Sequence, residues 1–183
     1  PMTQELEATG LVAGTWTIDP VHSEISFTVR HLMSKVRGSF ADFAGEIVTT
    51  ENPLESSINV TIKSASISTN NEQRDAHLRS ADFFHPENGG ELTFASTGIS
   101  ESGDGYVIAG DLTINGVTRP VELAAEFLGV ATDAYGSLRV GAEATTEISR
   151  KDFNVDFNVP LEGGKLLIGD KISISLAVEA VQA

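Results

Sequence analysis

The chain has 183 residues, with 12 Lys and Arg against 26 Asp and Glu, a net charge of −14, and no Cys. That length suits one domain, or one and a small appendage, with a self-sufficient core. The acidic balance repels nucleic-acid phosphates and anionic headgroups, and without Cys there is neither a disulfide framework nor a thiolate metal site.

The first residues, PMTQELEATGLVAGTW, place Glu5 and Glu7 where an export signal needs a basic patch, and the apolar run from Leu11 to Ala13 is too short for a signal core or a membrane span. As written, the chain is expected in the cytoplasm. Pro1 ahead of Met2 leaves open a longer N-terminus, and with it a periplasmic or other extracytoplasmic location. Residues 1–13 are expected to form a flexible tail or a short helix, and residues 14–183 the domain.

From His22 onward the pattern is of strands. Ile25, Phe27 and Val29 alternate with Glu24, Ser26, Thr28 and Arg30, giving one dry and one wet face. The alternation returns at Ile58, Val60 and Ile62; at Leu92 and Phe94; at Ile108, Leu112 and Ile114; at Val121, Leu123 and Phe127; at Leu138, Val140, Ala142 and Ala144; and from Ile172 to Val178. Turn signals punctuate these runs, Asn115-Gly116 being the strongest hairpin marker. One segment departs from the pattern: Thr69 stands three residues before Glu72 as in a capping box, and good helix formers follow to Arg79.

The expected fold is therefore all-β, a meander of about eight mostly antiparallel strands with one short helix. Strands of this kind form a filled sandwich or a barrel with a lumen, and periodicity alone does not distinguish them. Alternation over 117–130 and 137–148 predicts strands of roughly 12 residues, about 40 Å, which favours an elongated barrel. The wet faces, with Asn59, Lys63, Lys171 and Glu179, do not suit lipid contact, so the apolar side chains are expected to point inward.

Several stretches together resemble the YceI-like family: WTIDPVHSEISFTVRHLMSKVRGSFADFAGEI, RDAHLRSADFF, LTFAS, LTINGVTRPVEL, ISRKDFNV and IGDKISISL, in family order and spacing from Gly14 to about Ala180. The resemblance implies an extended, lipocalin-like antiparallel barrel. Its lumen would hold a long apolar molecule, a polyisoprenoid, an isoprenoid quinone or a fatty-acid-like chain. The resemblance further implies a homodimer, no covalent cofactor, and a polyisoprenoid or quinone lipid as the bound molecule. Asn154 and His85 depart from the family pattern, which often has Gly and an acid there.

The candidates for the lumen wall are Phe27, Val29, His31, Val60, Ile62, Phe94, Leu112, Ile114, Phe127 and Val140. An ordinary packed core is the competing reading of the same residues. His31 continues the dry face and could offer a polar group to a ligand's head. The histidines His22, His31, His77 and His85 lack metal-ligand spacing, so no metal is expected. Arg74, Asp75, Arg79 and Asp82 read as a solvated, salt-bridged helix face, Asp75 and Arg79 standing at i, i+4. No nucleophile elbow, zinc helix, phosphate loop or dinucleotide fingerprint is present. The expected activity is binding and sequestration of a lipid without catalysis; the alternatives are an enzyme acting on a quinone in the same lumen and a packed β-domain with no ligand.

Overall fold

The structure, a computed structural model, describes residues 12–31, 33–50, 53–78, 91–103, 105–114, 116–153 and 168–182. Strands form where the sequence alternates: β1 Gly14–Ile18, β2 Glu24–His31, β3 Ser34–Phe40, β4 Phe43–Thr49, β5 Ser57–Lys63, β6 Ile67–Ser68, β7 Glu91–Ser102, β8 Gly105–Ile114, β9 Val117–Thr132, β10 Leu138–Ser149 and β11 Ile168–Gln182. The helix α1 spans Glu72–Leu78. The expected tail lies almost wholly outside the described residues, as do Phe83, Phe84, His85 and Asn154.

All pairings are antiparallel, and they close. The strand order β1-β4-β5-β7-β8-β9-β10-β11 returns to β1, so eight strands make a barrel with no free edge in that ring. The remaining strands extend it lengthwise: β2 pairs with the first part of β11, β3 with β2, and β6 with β3. Thus β1 and β2 are two parts of one long strand beside β11, broken at residues 19–23. Likewise β3–β4 break at Ala41-Asp42 and β5–β6 at the 3-10 turn Ser64–Ser66, where Lys63 N donates to Asp42 O (2.8 Å) and Ala41 N to Ser66 O (3.3 Å).

The break in the first strand is built by the motif Asp-Pro-x-His-Ser. Asp19 Oδ1 accepts from Val21 N at 3.0 Å and Asp19 Oδ2 lies 2.7 Å from His22 Nδ1, which turns the chain. Ser23 then supplies the missing rung: its Oγ accepts from Glu179 N (3.0 Å) and donates to Glu179 O (3.2 Å). At the hairpins, β8 and β9 join with Ile114 opposite Val117, and Gly116 takes a φ of 75° that a side chain would resist.

The helix corrects one expectation. Thr69 N and Oγ1 both donate to Asp75 Oδ1, tying the chain before α1 to its first turn. Asp75 is buried and turned toward the chain leading into α1, so it is no member of a solvated face. The side chains of Arg74, His77 and Leu78, and residues Arg79 and Asp82, lie outside the described residues.

Candidate functional site

Inward positions of every strand in the closed ring, joined by those of β2 and β3, converge on one core cluster. Within it is a cavity of about 200 Å³ whose wall is almost wholly apolar. The two largest fully buried side chains among the described residues lie toward opposite ends of the barrel. Trp16 lies level with Gln182, near the end of β11, and donates from Nε1 to Thr49 Oγ1 at 3.0 Å. Phe153 sits in the 3-10 turn Arg150–Phe153, which is tied to the start of β11. There Ser149 Oγ donates to Asp170 Oδ2, Lys151 N to Asp170 Oδ1 (3.3 Å) and Arg150 Nε to Gly169 O (2.9 Å).

Of the wall candidates, Phe27, Val29, Val60, Ile62, Phe94, Leu112 and Ile114 do line this cavity. Phe127 and Val140 do not. Val140 is buried opposite Ala180 and Val130, on the Trp16 side of the lining residues Ala142 and Val178, and Phe127 precedes a bulge at Gly141/Ala142 that shifts the β9–β10 register. The His31 side chain lies outside the described residues. The wall also includes residues that the alternation offered but that were not singled out, above all Ile172, Ile174, Leu176 and Val178 on β11.

Two features give the cavity its shape. Glycines receive aromatic rings: a Cβ on Gly38 would overlap Phe27 Cζ, and one on Gly110 would overlap Phe94 Cζ, so both rings lie flat along the wall. Alanines leave space: Ala125 and Ala144 face each other across β9 and β10, with Ala142 two residues on, and all three line the cavity. A volume of about 200 Å³ is below the roughly 300–1,000 Å³ of sites for drug-sized ligands.

A second polar network, at the Trp16 end, is also structural. Arg139 Nη1 donates to Asp19 Oδ2 (2.7 Å) and Glu179 Oε1 (3.0 Å), and its Nε to Asp133 Oδ2 (2.8 Å). The guanidinium, followed by His22, holds the Asp19 carboxyl well below the usual carboxylate range. It also lowers that of Asp133, whose Oδ1 accepts from Tyr135 N and Ser137 N in the β9–β10 turn. Among the described residues no cluster of His, Asp and Glu is arranged to hold a metal.

Residues 16–180 match the family described as the YceI-like domain. A UPF0312 protein of Photorhabdus laumondii is 46% identical over 153 residues, 81% of this chain and 80% of that one. Among solved structures, the YceI protein of Campylobacter jejuni superposes with a TM-score of 0.70 at 31% identity, covering 84% of this chain and 90% of its own. A polyisoprenoid-binding domain from Saccharophagus degradans, implicated in plant cell wall breakdown, shares the fold with a TM-score of 0.66 at 13% identity, covering 94% of this chain and 100% of its own.

Proposed function

The chain belongs to the YceI-like family, and on that premise we propose that it binds a long apolar lipid, a polyisoprenoid or fatty-acid-like chain, in the barrel lumen, and so stores, carries or shields it. The observation that carries the reading is the closed barrel enclosing a cavity whose wall is nearly all aliphatic and aromatic. An ordinary core of this size would be filled to crystal-like density. The solved barrel of Saccharophagus degradans, itself a polyisoprenoid-binding domain, supports the choice of ligand class.

Binding by such a wall is driven by removal of apolar surface from water, about 25 cal/mol per Å², less the cost of ordering the chain. Few directional contacts are available, so length and width are read more sharply than chemistry. The role is sequestration, not turnover. A quinone fits if its isoprenoid tail occupies the lumen and its ring stays outside. A homodimer forms part of the proposal on the family resemblance, and light scattering in line with size exclusion decides it.

Native mass spectrometry of the purified protein, with solvent extraction of the same sample, tests the reading. A long-chain lipid in stoichiometric amount is expected. Protein that is lipid-free as isolated, and that also takes up no added isoprenoid alcohol or fatty acid, would overturn it.

A further inference from the structure

The barrel wall is not equally sealed all the way round. Strands β9 and β10 pair as far as Ala124 opposite Thr145, and there the ladder stops, although β9 begins at Val117 and β10 continues to Ser149. Below that point β9 is bonded only to β8, and β10 only to β11. A side-chain bond crosses the seam, from Thr146 Oγ1 to Glu122 O at 2.9 Å. Farther along, the 3-10 turn Arg150–Phe153 packs against β9 and closes the wedge.

Outside this seam lies a groove of about 560 Å³, over the outer faces of β9, β10, β11, β2 and β3. Its lining is unlike that of the lumen. Hydroxyls predominate, including Thr28, Thr145, Ser173 and Ser175, and Arg37 is outnumbered by Glu122 and Glu147. Groove and lumen nevertheless share Ser26, Phe27, Thr146 and Ile174, a patch that runs across β10, β11 and β2. Thr146 thus belongs to the cavity wall, to the groove and to a bond across the seam.

We propose that the wall opens sideways between β9 and β10 at Thr146, and that the outer groove is the head-group subsite for a lipid whose chain lies in the lumen. This rests on the lipid-binding reading above. An apolar wall cannot satisfy a polar head, which costs several kcal/mol to bury without a partner, whereas the groove next to the seam offers hydrogen-bonding hydroxyls. Its acids outnumber its base and the whole chain is strongly acidic, so the head it takes is uncharged, an alcohol, amide or carbonyl, in preference to an anion.

The chain has no Cys, which makes the seam testable with introduced pairs. Continuing the β9–β10 register by two rungs sets Glu122 opposite Glu147, and within the intact ladder Glu126 already faces Glu143. Retinol, a fluorescent isoprenoid alcohol, is loaded onto each protein, and its transfer to dioleoylphosphatidylcholine vesicles is followed. Oxidised E122C/E147C is expected to release retinol roughly tenfold more slowly, with reduction restoring the rate, and oxidised E126C/E143C to match wild type. T146V, which removes the crossing bond without changing side-chain size, is expected to release it faster. Wild type is expected to bind retinol about tenfold more tightly than retinoic acid.

If oxidised E122C/E147C, confirmed by mass, and T146V both release retinol at the wild-type rate, the side opening is overturned; if the E122C/E147C pair does not bridge, T146V alone decides in the same way. Equal or tighter binding of retinoic acid overturns the groove as a site for uncharged heads. A wild-type protein that takes up neither retinoid overturns the lumen reading itself, a result distinct from uptake that ignores the seam.

Discussion

Phe27 lies flat on Gly38, its partner across β2 and β3, so closely that a Cβ on that glycine would overlap Cζ of the ring. The same ring is tilted against Phe40 with centroids 5.6 Å apart, and it forms part of the lumen wall. The glycine therefore sets how far the ring projects inward. Gly38→Ala is expected to push the ring into the lumen, to lower stability by about 1–3 kcal/mol as overpacking does, and to weaken lipid retention. In a Phe27→Leu background the same change is expected to cost less than half as much, because the ring it strikes is gone. Urea unfolding of the four proteins of this cycle measures both; additive costs would refute the coupling.

Arg139 joins three parts of the chain through Asp19 at the first strand's break, Asp133 in the β9–β10 turn and Glu179 on β11. Its removal leaves three carboxylates close together, so Arg139→Met is expected to lower Tm at neutral pH. The pH dependence follows from the lowered Asp19 and Asp133 pKa values. As pH falls below about 4, the unfolded state takes up protons first, since an ordinary Asp titrates near 3.9. The stabilisation is thus complete above that pH and fades as the medium becomes more acid. Wild type should lose Tm steeply below about pH 4, whereas Arg139→Met should show a flatter profile; parallel profiles would mean that these bonds do not govern acid stability.

Alternation makes the strands legible, because each has one wet face and a period of two is hard to mistake over strands as long as β9 and β10, whereas closure into a barrel rests on strand length and the family resemblance. The breaks in the first three strands went unread, yet they leave a trace. Inward residues are even-numbered at Trp16 and Ile18 but odd at Ile25 and Phe27; even at Phe40 but odd at Phe43; even at Val60 and Ile62 but odd at Ile67. Each change of parity marks a break, because a continuous strand cannot switch faces. Seven of the inward candidates border the cavity for the same reason. Phe127 and Val140 were not separable from it, since alternation shows that a side chain points inward but not how full the interior is at that level. The Arg139 network joins residues up to 120 positions apart and has no local signature.

Trp16 is the single tryptophan of the chain and is fully buried, its indole N–H held by Thr49 Oγ1. That hydroxyl in turn donates to Val12 O, 2.6 Å away. Its emission should be blue-shifted and poorly quenched by iodide. Thr49→Val keeps the shape but leaves the indole N–H and the Val12 carbonyl without this partner, so a loss of about 1–3 kcal/mol is expected. A stability change near zero in urea unfolding would show that water or another group replaces the hydroxyl.

The Ala125–Ala144 pair offers the most direct test of whether the chain of a lipid occupies the lumen. Both alanines point inward from adjacent strands and border the cavity, so a larger side chain at Ala144 would extend into existing space rather than into packed core. Ala144→Phe is therefore expected to fold with a Tm within a few degrees of wild type, since the apolar burial gained offsets the strain of repacking. The same ring would occupy volume that the lipid needs, and retinol affinity should fall at least about tenfold, or 1.4 kcal/mol. Outward-facing Glu126, one residue from Ala125 and absent from the cavity wall, supplies the control: Glu126→Gln changes the outer surface and should leave retinol binding unchanged. Titration of retinol fluorescence against the three proteins separates the outcomes. Undiminished binding by a folded Ala144→Phe protein would place the lipid chain elsewhere, because a cavity of about 200 Å³ has no room for both the ring and the lipid chain at that level.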